Sequence, residues 1–359
     1  MEKKILKFSL LSLFFIFYSS SSFSEEQIPT DIFGSPPLIS NVQISPSGEK
    51  IAVFANLENG DSAILVRDLT KNEPYRRLAS SDNKSLKLLS FYWFDEEIIL
   101  ARAWLAQDIF NTKTDYYRLL RVNVDGSGFE PLFKKRHFKD LPLRWEEGNQ
   151  TRIMDMLPDD EENILVQLRM SNPRSPDVVK LNVKKNSIKT VKKGVAGVGS
   201  WMTDEDGRVR IGNTYDRNAN KGSIIFQREG STKWRTVWEY SSFGEDSISV
   251  LGFGEEPNKV WYEAYKDGRV AVFSADISKQ NIEPELVYSH PKRDVETYLR
   301  YRKDKKDPIG IGFRDENYHH VTWDKEEADF EKSVYALFPD KEVYFGGTSD
   351  DRNRYIIFV

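Results

Sequence analysis

Apolar and polar positions alternate in short runs along most of this chain, the pattern of half-buried β-strands. Val42 and Ile44 end one such run, and Ile51, Val53 and Phe54 open the next. Between them Ser45-Pro46-Ser47-Gly48 has the residues of a type I turn: Ser first, Pro fixing φ second, Gly fourth. Ala63–Asp68 and Tyr75–Leu78 then complete a meander of four short strands.

The same unit recurs. A second meander comprises Leu88–Trp93, Ile98–Ala101, Tyr116–Val124 and Phe129–Phe133. A third comprises Ile153–Leu157, Ile164–Leu168, Val178–Val183 and Ile188–Val191. The fourth runs through Val198–Met202, Val209–Ile211, Ser223–Gln227 and Trp234–Trp238. Ile248–Phe253, Val260–Ala264, Val270–Ala275 and Glu285–Tyr288 make the fifth. The sixth has Thr297–Tyr301, Ile309–Phe313 and Tyr318–Trp323, with a helix-compatible segment, Lys325–Leu337, in place of a clear fourth strand. The seventh offers Glu342–Phe345 and Tyr355–Val359, so its two outer strands are expected from residues beyond Val359.

Taking Gln43, Phe91, Met154, Ser200, Leu251, Tyr298 and Phe345 as first-strand markers, the intervals are 48, 63, 46, 51, 47 and 47 residues. Four-stranded repeats of about 40–50 residues predict an all-β fold, a β-propeller. It should have about seven four-stranded blades over 41–359, the last one incomplete. The long interval is assigned to two insertions, near Trp104–Thr114 and near Lys134–Gln150.

Before the repeats, Lys3, Lys4 and Lys7 precede the apolar run Phe8–Tyr18, and Ser22-Phe23-Ser24 supplies a small-x-small site. That is the layout of a signal peptide over 1–24, with cleavage near Glu25 and a periplasmic or secreted protein as product. The apolar run is shorter than the roughly 20 residues a membrane span needs, so no membrane association is expected after cleavage. Residues 25–40, with Pro29, Pro36 and Pro37, make an extended lead-in.

Ile44-Ser45-Pro46-Ser47-Gly48-Glu49-Lys50-Ile51-Ala52-Val53-Phe54 resembles the S-P-D-G-x-x-I-A-F blade motif of TolB-like and prolyl-oligopeptidase-type propellers. Met154–Leu168 is similar to the third blade of exported bacterial acylaminoacyl-peptidase-like members of the prolyl oligopeptidase family. Phe345–Arg352 resembles the last blade of that family. The resemblance covers roughly residues 30–359 and rests on the order and spacing of short motifs. It implies a propeller that sits over an α/β-hydrolase domain with a Ser-Asp-His triad, and that admits peptides rather than folded proteins. The triad serine would stand in a G-x-S-x-G elbow. No such string occurs here; the nearest are Gly126-Ser127-Gly128 and Gly346-Gly347-Thr348-Ser349. The resemblance therefore implies the propeller without its catalytic domain, and no catalytic residue is assigned.

Composition narrows the field. Cysteine is absent, which excludes a disulfide framework and a lipid anchor on an N-terminal Cys. A net charge of −4 with interspersed signs gives no nucleic-acid surface.

Candidate chemistry is sparse. His319 and His320 are neighbours in a predicted strand, so they point to opposite faces and cannot share a metal; His137 and His290 stand alone. Asp159-Asp160-Glu161-Glu162 and Asp204-Glu205-Asp206 fall at hairpin turns, where Asp is favoured for backbone reasons, and lack the spacing of a Ca²⁺ loop. Gly194-Val195-Ala196-Gly197-Val198-Gly199 precedes a strand, so no helix N-terminus is available for phosphate. Lys134-Lys135-Arg136-His137-Phe138, continuing to Arg144-Trp145, is a basic, aromatic insertion suited to a partner or a substrate entrance. No metal, cofactor-binding or catalytic residue is predicted.

Three accounts of function follow. The first is the substrate-gating propeller of a periplasmic prolyl-oligopeptidase-type serine peptidase, meeting peptide substrate through an associated or missing hydrolase domain. The alternative is a stand-alone exported propeller that binds a protein or peptide. The third, an enzyme working on the propeller face, would need convergent acids and bases on inner strands.

Overall fold

The turn at Ser45–Gly48 forms as its residues require. In the computed structural model, which describes residues 34–109, 112–138, 148–241, 244–314 and 318–359, the Gly48 amide donates to the Ser45 carbonyl at 2.9 Å. Gly48 has a φ of +76°, and an added Cβ would strike Arg354, whose guanidinium donates to the Gly48 carbonyl at 2.8 Å. Only glycine serves there.

Twenty-five strands form seven antiparallel sheets among the described residues. The first sheet is β1 (Ile39–Ile44), β2 (Lys50–Asn56), β3 (Ser62–Asp68) and β4 (Arg76–Ser81). The second is β5 (Leu86–Trp93), β6 (Ile98–Ile109), β7 (Thr112–Asn123) and β8 (Glu130–Pro131). The third is β9 (Ile153–Asp155), β10 (Asn163–Leu168), β11 (Asp177–Asn182) and β12 (Ser187–Lys192). The fourth is β13 (Val198–Thr203), β14 (Val209–Asp216), β15 (Lys221–Gln227) and β16 (Trp234–Ser241). The fifth is β17 (Ile248–Phe253), β18 (Lys259–Lys266), β19 (Arg269–Asp276) and β20 (Glu285–Tyr288). The sixth has three strands, β21 (Thr297–Arg302), β22 (Lys305–Arg314) and β23 (Tyr318–Thr322), followed by α1 (Lys325–Leu337). The seventh has two, β24 (Tyr344–Thr348) and β25 (Tyr355–Phe358).

The strands of each sheet pair in chain order, and successive first strands approach one another. Thus β1 meets β5, β9 meets β13, β13 meets β17, and β17 meets β21. Both β24 and β25 come back to β1. The fold is a seven-bladed β-propeller. Every first strand carries a register break against its second, at Ser40/Gln43, Leu88/Ser90, Val198/Ser200, Val250/Gly252, Arg300/Arg302 and Phe345/Gly347, and opposite Leu165/Val166 in the third sheet. Such bulges sharpen local twist, and their recurrence in all seven sheets is a device of this fold.

Apolar clusters fill the joints between neighbouring sheets. Ile64 and Val66 meet Leu88, Phe91 and Ile99 between the first and second. Leu100 and Leu119 meet Ile164 and Val166 in the next joint. Leu165 and Val178 meet Val198 and Trp201, then Ile211 and Phe226 meet Phe253 and Val260. Trp261 and Val272 meet Ile311 and Phe313. Middle strands are covered on both faces, which is why β10 and β11 carry adjacent apolar residues, Ile164-Leu165-Val166 and Val178-Val179, rather than strict alternations. Each fully buried large side chain stabilises the fold by about 1.5–3 kcal/mol.

The insertion near Trp104–Thr114 takes the form of a longer hairpin: β6 and β7 pair in register from Ile98↔Asn123 to Ile109↔Thr112. One expectation is corrected. The expected strand Phe129–Phe133 reduces to Glu130–Pro131: Pro131 has no N–H for a ladder, and Leu132 and Phe133 turn inward to be buried. Residues 34–37 belong to a separate unit and are exposed; the signal-peptide segment lies outside the described residues.

Candidate functional site at the turn face

The hairpin turns joining first to second strands lie together on one face, and polar bonds tie them from sheet to sheet. The Ser47 amide and the Lys50 ammonium both donate to Glu96, the latter at 2.9 Å. Thr203 donates its hydroxyl to Asp155 at 2.8 Å, and Tyr301 donates to the Phe253 carbonyl at 2.7 Å. Lys303 pairs with Asp350, whose amide donates to the Pro46 carbonyl at 2.7 Å. Lys306 of the sixth sheet reaches past the fifth to Asp206 of the fourth, at 2.9 Å.

The turn Asp204-Glu205-Asp206-Gly207 divides its three acids between structure and surface. Asp204 is buried. One carboxylate oxygen accepts the amides of Asp206 and Arg208 at 3.1 and 2.9 Å, and the other pairs with Arg210 at 2.9 Å. Arg210 is itself 4% exposed; it also donates to the Gln227 carbonyl and to Asn258, and lies over the rings of Phe226 and Phe253. Removing either partner would strand a buried charge. Asp206 is exposed and carries the bridge to Lys306.

Glu205 is different. It makes no ion pair among the described residues and lines a cleft between the third and fourth sheets, together with Asp155, Asp159 and Leu157. Burial first, then the nearby charges of Asp155 and Asp204, push its carboxyl up to about 7, with Lys306 opposing. Leu157 sits in the left-handed region at φ +48°, held by the Leu157–Asp160 turn, and its side chain crowds Gly207. Asp160 is held at about 2: burial would raise it, but Lys180 at 2.6 Å and Asn163 at 2.7 Å outweigh that.

The cleft holds about 500 Å³, within the range of about 300–1,000 Å³ of small-ligand pockets. At its other end Lys192, the last residue of β12, places its ammonium 4.4 Å from the ring centre of Trp234 and 5.1 Å from that of Trp201. The two indoles meet edge to face at 5.3 Å, and the Trp201 N–H donates to the Pro176 carbonyl at 2.8 Å, which fixes the platform. Burial depresses the Lys192 pKa. The lining residues carry carboxylates, amines and a guanidinium but no imidazole, hydroxyl or thiol.

The other candidates have structural surroundings. His319 stacks on Phe313 at 5.0 Å, while His320, on the opposite face of β23, stands 4.0 Å from Glu331. His290 lies against Phe313, and His137 and Arg136 both bond to the Asn186 carbonyl. The basic insertion thus folds onto the third sheet as far as Phe138; Arg144 and Trp145 lie outside the described residues. The Gly194 amide donates to Asp177 at 2.8 Å and strand β13 follows. Among the described residues no group of three or more His, Asp or Glu is placed to hold a metal ion, and no helix is long and apolar enough to cross a membrane.

Comparison with solved structures returns several similar chains. The chain is similar to an acylaminoacyl peptidase in complex with Z-Gly-Gly-Phe-chloromethyl ketone, at 13% identity and a TM-score of 0.43, over 83% of this chain and 47% of that one. It is also similar to the β-propeller domain of the Trilobed protease from Pyrococcus furiosus, at 14% identity and a TM-score of 0.35, over 80% and 85% of the two chains. An oligogalacturonate lyase in complex with manganese is similar at 10% identity and a TM-score of 0.46, over 80% and 78%. The chain spans about half the length of the acylaminoacyl peptidase. No protein-family model matches the sequence, and no curated protein does.

Proposed function

We propose that this chain is the peptide-handling, gating propeller of an exported prolyl-oligopeptidase-type system, holding peptides for a serine hydrolase domain without cleaving them itself. The observation that carries this reading is the cleft between the third and fourth sheets. It combines an ammonium set over two indoles, an apolar stretch at Leu157, Leu165 and Val209, and two acids, Asp159 and Glu205, with no ion pair among the described residues; none of its lining residues is a Ser, Cys or His. Acyl transfer needs an activated nucleophile beside an oxyanion hole, whereas binding an extended peptide needs the features present. The Lys306–Asp206 bridge suits gating. Both side chains are about half exposed, and water and salt screen such a pair, so it opens readily.

The test is titration of the exported chain with short N-acetylated peptides beside exposure to a fluorophosphonate serine probe. Saturable peptide binding without turnover or labelling is expected; stoichiometric labelling or peptide cleavage would overturn the reading. Export is checked by the N-terminus of the periplasmic protein, expected at Glu25; an intact Met1 on a membrane-bound chain would contradict it.

A further inference from the structure

The cleft is charged unevenly, and the unevenness selects a ligand. Of the cations on its walls, Lys180 is committed to Asp160 at 2.6 Å, and Arg208 to Asp206 and Glu229 at 3.1 and 2.8 Å. Lys192 alone among them has no carboxylate or carbonyl partner among the described residues. Its stem leaves the edge of β12 and its head rests on Trp201 and Trp234, two rings whose positions are fixed by their mutual contact and by the Trp201–Pro176 hydrogen bond. A cation over an indole keeps its outward N–H donors unused, and those donors are oriented before any ligand arrives.

We infer that Lys192 on its indole platform anchors the free α-carboxylate of a short peptide, whose last side chain lies against Leu157, Leu165 and Val209. The inference rests on reading the cleft as a peptide site. One monovalent anion matches one unpaired ammonium. A phosphate dianion would want several donors in a fork, and Asp159 and Glu205 further along the wall would repel it. Those same acids suit the peptide's other groups. Glu205 is partly protonated near neutral pH, so it is able to donate to a peptide carbonyl as well as to accept from an amide. The volume admits a few residues, so exopeptidase-sized products or short substrates fit, and the carboxylate fixes their direction.

The experiment is isothermal titration of the full exported chain with N-acetyl-Ala-Leu and with its carboxamide, in the wild type, Lys192→Met and Lys192→Arg. The acid should bind at least about tenfold tighter than the amide, and its affinity should fall with added salt while that of the amide does not. Lys192→Met, which keeps the stem on the indoles, should bring the two ligands to parity; Lys192→Arg should keep most of the preference. Equal binding of acid and amide to the wild type, or a preference that survives Lys192→Met, overturns the anchor while leaving the peptide site standing. Failure of both ligands to bind the wild type overturns the peptide site and the anchor together.

Discussion

The joints among the first six sheets and the surroundings of the seventh are built from different materials. Between sheets one and six every joint holds a cluster of buried apolar side chains. Around the seventh sheet the buried groups are mostly polar. Ser349 is the only buried residue among those described from 344 to 359, and α1 buries Glu327, Glu331 and Val334. Glu331 accepts from Arg300 and Thr322 at 2.6 and 2.7 Å, and Glu327 pairs with Arg352. Phe330 and Tyr335 add aromatic contacts to Phe345 and Tyr355. Apolar burial is strong and tolerant of direction, while buried ion pairs recover little beyond their desolvation. The ring is therefore held by its first five joints and sealed by a polar latch.

The largest test breaks the apolar side. Phe91→Ala, at a fully buried position, should cost about 3–5 kcal/mol in denaturant unfolding. Glu331→Ala should cost about 3 kcal/mol, because Arg300 loses its buried counter-charge. The two sites then differ in rescue. Adding Arg300→Met to Glu331→Met should recover most of that loss, whereas no second change near residue 91 refills the cavity. If the double variant is as unstable as Glu331→Ala, the latch is not replaceable by packing and the contrast fails.

Much of this architecture was readable from the chain. The bounds of β20 and α1 coincide with the predicted Glu285–Tyr288 and Lys325–Leu337, because alternation, turn residues and the Asp324 N-cap are local signals. What was not readable is non-local. Alternation alone could not show that Trp104–Thr114 continues a ladder, since pairing partners lie far along the hairpin. Composition could not show that α1 presents Glu327 and Glu331 inward, because their cations come from β21 and from the turn after β24. The acids at 204–206 were visible as a turn, but their division into a buried Asp204 and a cleft-facing Glu205 depends on Arg210 and Asp155. The Lys192 platform joins residues of two sheets and left no motif; the only sequence signal was a Lys just after the predicted strand Ile188–Val191 and before a Trp-rich repeat.

Smaller effects sharpen the comparison at the turn face. Glu205 binds its proton more tightly folded than unfolded, so stability should fall as pH rises from about 4.5 through about 7. Glu205→Gln should remove that slope and raise stability at pH 8 by about 1–2 kcal/mol, allowing for partial solvation. An unchanged slope in urea midpoints across that window would show that Glu205 is not the group responsible. Lys306→Ala should lower the urea midpoint only slightly and lose that effect at high salt.

The most direct measurement is hydrogen exchange by mass spectrometry on the full chain, with and without N-acetyl-Ala-Leu. The account predicts that α1, β24 and β25 exchange through local opening well ahead of β10 and β11. It also predicts that the peptide slows exchange at 157–160 and 205–209 and leaves the seventh sheet unchanged. A common rate for all seven sheets, or protection by the peptide at 344–358 in place of the turns of the third and fourth sheets, would contradict it.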